Sequence, residues 1–312
     1  MRSERAEPSI PESFRDPLDE LIERAIAEDL GDGDVTTQAT VAPEHESTGT
    51  IVARESGIAA GLAAAARFFR HLEPALTFEF RVEDGAPVEP GTIAARVHGS
   101  TRAILAGERP ALNLMQRMSG IATATRRMVD AVAEQPATIL DTRKTAPGLR
   151  ALDKWAVRLG GGENHRMGLY DQVLIKENHV VAAGGIGAAL EQVRAYLEET
   201  GRTLLVEIET RTIEEVEAVL DAGVADRILL DNMAELRDDG TLDTSRLADA
   251  VDRIGERAET EASGNVTLDT VAEIARTGVD FISSGAITHS ARALDLSLLL
   301  TDAPSPEHAG PR

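Results

Sequence analysis

The chain contains no cysteine, and it is also nearly devoid of lysine. Without cysteine it cannot form disulfides, use a thiolate nucleophile or bind a metal through sulfur, which fits a reducing cytoplasm. Among its 32 basic residues only three are lysines, namely Lys144, Lys154 and Lys176. Because a compact ammonium and a planar guanidinium bind anions differently, lysines retained within one short stretch are candidates for chemistry.

Aromatic residues and long apolar runs are scarce as well. Aromatics account for 3% of the 312 residues, against 42% for all hydrophobic residues, so we expect a sizeable aliphatic core. No stretch reaches the roughly 18 apolar residues of a membrane-spanning helix, and residues 1–17 lack the apolar segment of a secretory signal. The length allows two domains, or one large α/β domain with an appendage.

Positive charge is also scarce relative to negative charge, and the formal net charge is −21. Nucleic-acid-binding proteins usually carry the opposite sign, so we expect neither a nucleic-acid nor a membrane partner. The acidic residues are spread along the chain, which together with the lack of lysine indicates a halophilic protein of a salt-rich cytoplasm. An acidic protein of an ordinary cytoplasm is the alternative interpretation.

Two predicted domains lie between predicted disordered ends. Residues 1–14 and 302–312 are rich in proline, glutamate and serine, which is typical of disordered termini. A helical pattern and then short β-like runs predict an α+β sandwich domain over residues 15–120. Residues 121–301 are expected to form a parallel α/β barrel or doubly wound sheet, with a last helix that is a candidate to pack on the N-terminal domain.

The second prediction depends on six short apolar runs that alternate with helical segments. The runs cover residues 137–144, 172–178, 203–209, 227–232, 260–265 and 281–286. Each run ends in polar residues, and the C-terminal ends of the strands build the active site in α/β barrels. Six such ends in succession favour an enzyme over a binding or scaffold protein.

These strand ends carry two opposite kinds of charge. A basic set implies an anionic substrate, since arginine can bind carboxylate or phosphate bidentately. Its members are Arg143, Lys144, His165, Arg166 and Lys176. The acidic residues Glu207 and Asp231 suit Mg²⁺, which prefers oxygen ligands, or a cation that develops during a reaction.

Two glycine-containing turns complete the candidate site. Ser263-Gly264-Asn265 and Ser284-Gly285-Ala286 precede helical segments, where backbone N–H groups can bind a phosphate. Anionic substrate, phosphate and metal together suggest transfer of a phosphorylated sugar.

Seven segments carry a more specific resemblance, which spans nearly the whole chain. They are EDLGDGDVTT (28–37), GERPALNLMQRMSGIAT (107–123), DTRKTAPGLR (141–150), GGGENHRMGLYDQVLIKENH (160–179), LLDN (229–232), EASGNVTLDTV (261–271) and GAITHS (285–290). In these motifs the chain resembles the quinolinate phosphoribosyltransferase family.

The resemblance implies a fold, a reaction and a cofactor. The fold is an N-terminal α+β sandwich followed by an open parallel α/β barrel, assembled as a homodimer or homohexamer. The reaction transfers the phosphoribosyl group of 5-phosphoribosyl-1-pyrophosphate (PRPP) to quinolinate in NAD biosynthesis, with Mg²⁺ accompanying PRPP. It releases pyrophosphate and CO₂ and gives nicotinate mononucleotide.

Roles for individual basic residues follow from the same resemblance. The residues implied to bind the carboxylates of quinolinate are Arg143, His165, Arg166 and Lys176. Thr142 would also contact substrate, and Lys144 would lie between quinolinate and the pyrophosphate as a catalytic residue. Arg109 would enter the site from the neighbouring subunit.

The resemblance places the acidic residues and the glycine turns around the sugar. Glu207 and Asp231 would be catalytic, facing the ribose and Mg²⁺ directly or through water. Residues 263–265 and 284–286 would bind the 5-phosphate. Two positions depart from the family pattern: Glu177 stands where aspartate is expected, and Pro110 where a small polar residue is commoner.

Other polar residues near the motifs have simpler interpretations. Glu209 either lines the mouth of the barrel or caps a turn. The residues interpreted as structural, in packing, in hydrogen bonding or at the surface, are Lys154, Trp155, His179 and His289. Replacement of Lys154 by arginine is accordingly expected to be harmless.

Two other functions stay open from the sequence. A phosphoribosyltransferase-like paralogue, such as the one found beside molybdate transport, would share the scaffold, and a non-catalytic binding protein is a second alternative. The basic motifs favour quinolinate, because a dianionic pyridine needs that much positive charge. The acids Glu207 and Asp231 would be unnecessary in a protein that only binds.

Salt dependence is the first testable consequence of the composition. Lowering KCl from ~1 M to ~0.01 M lengthens the Debye length from ~3 Å to ~30 Å, so repulsion among the surplus carboxylates grows. We expect the melting temperature to fall over this range, while an uncharged osmolyte in place of KCl should not restore it fully. A flat melting temperature would contradict the halophilic interpretation.

Overall fold

The computed structural model describes residues 9–302, which divide into two compact units. The first unit holds the residues up to Ala124, the segment 146–161 and the residues from Ala291 onward. The second unit holds residues 125–145 and 162–290. This division differs from a single boundary near residue 120, because two later segments of the chain belong with the first unit.

Helix α1 (Glu12–Leu30) begins inside the predicted disordered end. Phe14, Leu18 and Ile22 recur at intervals of four residues and are all buried, so packing of this helical face orders the chain from its first turn. The prediction of disorder is therefore wrong for residues 12–14, and also for Asp302, which ends a strand. For residues 1–8 and 303–312 that prediction lies outside the described residues.

An antiparallel sheet forms the β-layer of the first unit. Its strands are β1 (Glu46–Ala53), β3 (Thr77–Phe80), β5 (Ile93–Ser100) and β14 (Leu296–Asp302), in the order β14-β1-β5-β3. The sequence predicts a helix near the C-terminal end of the chain, but the final described element is a strand that pairs with β1. Leu296 and Leu298 are buried on one face of it, and this period of two suits a strand.

The first unit also contains helices and a pair of short strands. They are α2 (Val35–Thr40), α3 (Leu62–Leu72), α4 (Thr101–Ala131), α5 (Arg150–Leu159) and the short paired strands β2 (Gly57–Ile58) and β4 (Pro87–Val88). Residues of α4 beyond Ala124 are counted with the second unit. No helix among residues 9–302 combines the length and apolar character needed to cross a bilayer.

Helix α5 is more deeply buried than its sequence suggests. Trp155 stacks on Phe14 with ring centroids 6.0 Å apart, as expected for a packing residue. Lys154 is 0% exposed, so the prediction of a surface position is wrong. Asp153 accepts two hydrogen bonds of 2.7 Å from the Arg117 guanidinium, which compensates the charge that the helix carries into the core.

A parallel sheet of six strands forms the second unit and confirms the predicted α/β class. Its strands are β6 (Thr138–Leu140), β7 (Val173–Ile175), β8 (Val206–Thr210), β9 (Arg227–Asp231), β12 (Glu259–Ser263) and β13 (Phe281–Ser283). Their order is β6-β13-β12-β9-β8-β7, and every neighbouring pair is parallel. Each predicted apolar run overlaps one of these strands, and four of the six contain their strand entirely.

Helices and turns connect the parallel strands. The helices are α6 (Glu177–Ala183), α7 (Ile186–Thr200), α8 (Ile213–Ala222), α9 (Ser245–Ile254), α10 (Val271–Ala275) and α11 (Ala286–His289), and a small hairpin joins β10 (Glu235–Leu236) to β11 (Leu242–Asp243). In helix α8, identifiable residues determine where the helix begins and ends. Thr212 and Glu215 form a capping box at its start, and Gly223 ends it in the left-handed conformation.

Strand register brings the polar strand ends to one edge. Asp231 and Ser263 are direct partners in the pairing of β9 with β12, and both are the last residues of their strands. Because all six strands run in the same direction, their C-terminal residues converge at the same end of the sheet.

Candidate active site

A pocket of about 560 Å³ lies at the C-terminal edge of the parallel sheet. It is lined by Thr142, Arg143, Lys144, His165, Arg166, Leu174, Lys176, Glu177, Asn178, Glu209, Arg211, Leu229, Asp231, Glu261, Ser263 and Ser283. The structure therefore brings together most of the residues predicted from the strand ends. Glu209, for which lining the mouth and capping a turn were the two alternatives, lines the pocket, and Arg211 and Glu261 are lining residues that were not predicted.

The basic side of the pocket is formed by residues of three segments. Arg143 and Lys144 follow β6, Arg166 precedes β7, and Lys176 follows it. Burial lowers the pKa of Arg166, and the nearby charge of Arg143 lowers it further. Crowding of like charges around a concave surface prepares it for an anion, because an anion relieves the repulsion.

Hydrogen bonds of its backbone fix the position of Lys144, and a neighbouring glycine leaves space for its side chain. Its N–H donates to the Thr142 hydroxyl at 3.0 Å, and its carbonyl accepts from the Thr288 hydroxyl at 2.9 Å. A Cβ atom at Gly285 would lie 2.7 Å from Cδ of Lys144. The glycine thus leaves room for the lysine side chain beside α11.

The acidic side of the pocket is organised by an arginine that the sequence analysis missed. Arg211 contacts Glu209 at 3.1 Å, Asp231 at 3.3 Å and also Glu177. Lys176 reaches the other oxygen of Glu209 at 3.0 Å. This network fixes the two carboxylates at the wall, and it gives Glu177 a place in the site.

Glu207 lies elsewhere, in the interior of the sheet below the pocket. Its side chain is fully buried, and it is not among the residues that line the pocket. The prediction that Glu207 faces a ribose and a metal together with Asp231 is therefore not supported. In a strand, residues 207 and 209 point to the same side, and the later residue lies nearer the C-terminal end, so this alternation could have identified Glu209.

His165 is a hydrogen-bonded part of the interior rather than a cation of the wall. Its Nδ1 accepts the N–H of Arg166 at 2.7 Å, so this nitrogen carries no proton. The proton on Nε2 then points to Glu207 Oε2 at 3.0 Å, with Glu261 Oε2 at 3.7 Å. This arrangement requires the neutral ring, so the basic set loses one predicted member.

Two buried carboxyl groups share this interior space. Burial is the largest cause that raises the pKa of Glu207 to about 7, opposed mainly by the charge of Arg227. Burial and the neighbouring charge of Glu207 raise the pKa of Glu261 to about 7. Arg227 contacts Glu261 at 3.3 Å and stacks its guanidinium 3.8 Å from the centre of the Phe281 ring.

His165, Glu207 and Glu261 are also the only group of three that offers converging metal-type ligand atoms among residues 9–302. The hydrogen bonds argue against a metal there. A ligating imidazole must present a lone pair, whereas Nε2 of His165 carries the proton that Glu207 accepts. The cluster is therefore best described as a hydrogen-bonded network.

The two glycine turns have different constraints: the first requires glycine for steric reasons, and the second already uses one backbone N–H in a hydrogen bond. Gly264 adopts a φ of +89°, and a Cβ there would lie 2.2 Å from Oδ1 of Asn232, so only glycine fits. The N–H of Ser284 donates to the Leu140 carbonyl at 3.0 Å, and its hydroxyl to the Val266 carbonyl at 3.3 Å. Any phosphate contact in that turn falls to the amides after Ser284.

The remaining predicted residues have simple surroundings. Arg109 is an exposed residue of α4 in the first unit. His179 accepts the N–H of Lys176 at 2.9 Å, and His289 bonds the Ser290 hydroxyl at 2.6 Å, as expected for hydrogen-bonded structural residues.

Comparisons with known proteins agree with this arrangement. Family models described as the N-terminal and C-terminal domains of quinolinate phosphoribosyl transferase match residues 34–119 and 121–299. Quinolinate phosphoribosyltransferase [decarboxylating] 1 of Nicotiana glauca is 53% identical over 284 residues, covering 89% of this chain and 81% of the relative.

Two further relatives come from bacteria. A probable nicotinate-nucleotide pyrophosphorylase [carboxylating] of Synechocystis is 43% identical, covering 90% of this chain and 92% of the relative. The crystal structure of NadC from Streptococcus pyogenes is 34% identical with a TM-score of 0.87, covering 95% of this chain and all of that one. The comparisons confirm the resemblance found in the motifs and the two-domain α/β architecture.

The raised carboxyl pKa values predict a specific pH dependence of stability. Between the ordinary value of 4.5 and about 7, the folded protein holds a proton on Glu207 that the unfolded chain has released. The free energy of unfolding should therefore fall as pH rises through this window. Replacing Glu207 by glutamine should flatten that decline, measured as melting temperature from pH 5 to 8.

A matched control separates this effect from general loss of charge. Glu198→Gln removes a carboxylate from an exposed position on α7 and should leave the slope unchanged. Equal slopes in wild type, Glu207→Gln and Glu198→Gln would show that the interior carboxyl pair does not take up the proton.

Proposed function

The chain belongs to the quinolinate phosphoribosyltransferase family, and we propose that it catalyses the reaction after which the family is named. It would transfer the phosphoribosyl group of PRPP to quinolinate, release pyrophosphate and CO₂, and give nicotinate mononucleotide for NAD biosynthesis. One observation carries this proposal. In a chain of net charge −21, the pocket gathers five cationic side chains at a single strand edge.

Quinolinate would occupy the basic side of the pocket. Its two adjacent carboxylates match the convergent charges of Arg143, Arg166 and Lys176, and the guanidinium groups can bind them bidentately. Arg166 is well suited to this task because its side chain is held near the Gln172 carbonyl and is largely withdrawn from water. Holding the pyridine ring there would point its nitrogen away from the cations, toward the acidic side.

The ribose would face Glu209 and Asp231. As pyrophosphate leaves, C1 of the ribose gains positive charge, and fixed carboxylates stabilise charge that grows in the transition state. Both carboxylates are preorganised by Arg211, so little reorganisation would be needed at the moment of reaction. The quinolinate nitrogen would then attack C1 without any enzymic nucleophile.

Lys144 and the glycine turns would bind the phosphates. Lys144 belongs to the basic side and lies against Gly285 of the second turn, which suits a contact to both quinolinate and the leaving pyrophosphate. Thr142 supports it by accepting its backbone N–H. Residues 263–265 and 284–286 remain our proposed site for the 5-phosphate, with Ser263 at the pocket wall.

Mg²⁺ would enter together with PRPP. Asp231 fits this role, because its carboxylate faces the open pocket and Mg²⁺ commonly binds through one or two carboxylates plus substrate phosphates and waters. Glu207 does not fit it, because its side chain is fully buried below the pocket and its Oε2 contacts His165 and Gln172. When bound, the ion would neutralise charge on the departing pyrophosphate.

Assembly and location are parts of the same proposal. We infer a homodimer or a homohexamer in which Arg109 completes the site of the neighbouring subunit. The exposure of Arg109 on α4 supports this role. We also propose a cytoplasmic location, which the absence of cysteine supports, although some relatives are named as mitochondrial or chloroplastic.

The reaction itself is tested with labelled substrate. Purified protein should release CO₂ from carboxyl-labelled quinolinate only when both PRPP and Mg²⁺ are present. Nicotinate in place of quinolinate serves as the matched control, since it lacks the carboxylate that is lost. Activity on nicotinate with none on quinolinate would overturn the proposal.

The three lysines give a prediction that separates catalysis from stability. Lys144→Arg and Lys176→Arg keep the charge but displace bound anions, and misplacement by ~1 Å can lower the rate ~100-fold. Lys154→Arg should instead spare kcat/KM and destabilise the fold by ~1–3 kcal/mol, because the wider group must fit a fully buried position. Steady-state kinetics and urea unfolding measure the two effects, and near-wild-type kcat/KM at positions 144 and 176 would show that charge alone matters there.

Subunit sharing gives a prediction by complementation. Arg109→Ala and Arg143→Ala chains should each be inactive when alone. If Arg109 serves the neighbouring site, unfolding and refolding the two together should restore part of the activity, because some hybrid sites contain both arginines. Mixed assemblies that stay inactive, with exchange verified by mass spectrometry, would place Arg109 outside the partner's site.

A further inference from the structure

The floor of the pocket contains a carboxyl group that the function described so far does not use. Among the lining residues, Leu229, Glu261 and Ser283 are the most deeply buried, at 5%, 0% and 4% exposure. Glu261 is the only ionisable one of the three. It lies between the basic wall and the acidic wall, on the central strand β12.

One oxygen of this carboxyl group is engaged and the other is not. Oε2 lies 3.3 Å from Nη1 of Arg227 and 3.7 Å from Nε2 of His165. Oε1 is buried without a hydrogen-bond partner of good geometry among residues 9–302, and so is Oε1 of Glu207. Two buried acceptors without donors are costly, whereas one proton held between the two carboxyl groups would satisfy both.

The surroundings of Glu261 favour that proton. Burial and the charge of Glu207 on β8 raise the pKa of Glu261, and they outweigh His165 before β7, the Ser283 hydroxyl on β13 and Arg227 on β9, which lower it. The single guanidinium is also shared with Glu259 at 2.8 Å. Burial is the largest cause that raises the pKa of each interior carboxyl group to about 7.

The proposed reaction has a step that needs such a proton. The following inference rests on the function proposed above. After ribosylation, the ring nitrogen is positive, and the bond from C2 to its carboxylate breaks with the electron pair left on C2. CO₂ departs, and C2 must then gain a proton to give nicotinate mononucleotide.

The position of C2 follows from the two walls. In the proposed complex the carboxylates of quinolinate would lie at the basic side, and the ring nitrogen, bonded to C1 of the ribose, would face the acidic side. C2 is bonded to both the nitrogen and the carboxylate that leaves, so it lies between the walls and over the floor. Glu261 is the acid at that place.

We propose that Glu261 is the general acid that protonates C2 as CO₂ leaves. The O–H bond of its carboxyl group breaks, the new C2–H bond forms, and Glu261 becomes a carboxylate. Glu207 then shares the regained proton, which comes from water when the product leaves. A neutral Glu261 also avoids repelling the dianionic substrate from the floor, which an ionised carboxylate would do.

The test separates transfer of the sugar from loss of CO₂. In single-turnover experiments with quinolinate, PRPP and Mg²⁺, Glu261→Gln should release pyrophosphate at a rate within a few-fold of wild type. CO₂ release should fall ~100-fold, the typical contribution of a general acid. The ribosylated dicarboxylate should accumulate and be visible by mass spectrometry.

Glu259→Gln is the matched control, since it removes the other carboxylate of Arg227 from the same strand without touching the pocket. It should leave both steps unchanged. Equal slowing of both steps in Glu261→Gln, or unchanged CO₂ release, would overturn the role of Glu261. Absence of pyrophosphate release by the wild type would instead overturn the proposed function, and this inference with it.

The wild-type enzyme provides a second measurement that does not depend on folding of a variant. The rate of CO₂ release should fall as pH rises through the neutral range, because the acid is lost, while pyrophosphate release should not follow the same curve. In D₂O the product should carry deuterium at C2. Parallel pH profiles for the two steps would also overturn the proposal.

Discussion

Burial of two carboxyl groups beneath the pocket is the constraint on which the rest of the site depends. Glu207 and Glu261 are both fully buried, and burial outweighs the nearby positive charge of Arg227 in setting the pKa of each carboxyl group. Desolvation opposes the ionisation of both carboxyl groups at once. The folded structure therefore favours a state in which at least one of them is protonated. The hydrogen bond that Gln172 donates to Glu207 favours the ionised form, and burial outweighs it. The wall above can then be strongly cationic without a buried anion competing with substrate.

Strand geometry separates the buried carboxyl groups from the pocket wall above them. It also explains which residues of the site the sequence could predict. Six apolar runs with polar ends were enough to predict the parallel sheet and the basic wall, because a run of buried residues and its direction are local properties. The depth of each acid is different, since it depends on the period of two and on where the strand ends. Glu207 and Glu209 share one side of β8, yet one lies inside and the other lines the pocket. Arg211, one residue past the strand, gave no motif at all.

Tertiary context accounts for the other differences between the predictions and the structure. Lys154 has the composition of a surface residue, but α5 is buried at six successive positions, so the lysine enters the core with the helix. The final segment could be helix or strand by its leucines, and pairing with β1 decides it. Residues 12–14 are ordered because Phe14 finds Trp155 to stack on. Each outcome depends on a partner distant in sequence, which periodicity within one segment cannot reveal.

The acidic composition and the cationic pocket are compatible because salt acts on them unequally. Mobile ions screen exposed carboxylates within a few ångströms at high concentration, but they screen buried or partly buried pairs much less. In the contacts of Glu209 with Lys176 and Arg211 the carboxylate is 8% exposed and the cations are half exposed, so salt should weaken these contacts less than it weakens pairs between two exposed groups. A protein in concentrated salt can therefore lose lysine from its surface without losing the charges that select its substrate. Retention of Lys144 and Lys176 at the pocket is what that separation predicts.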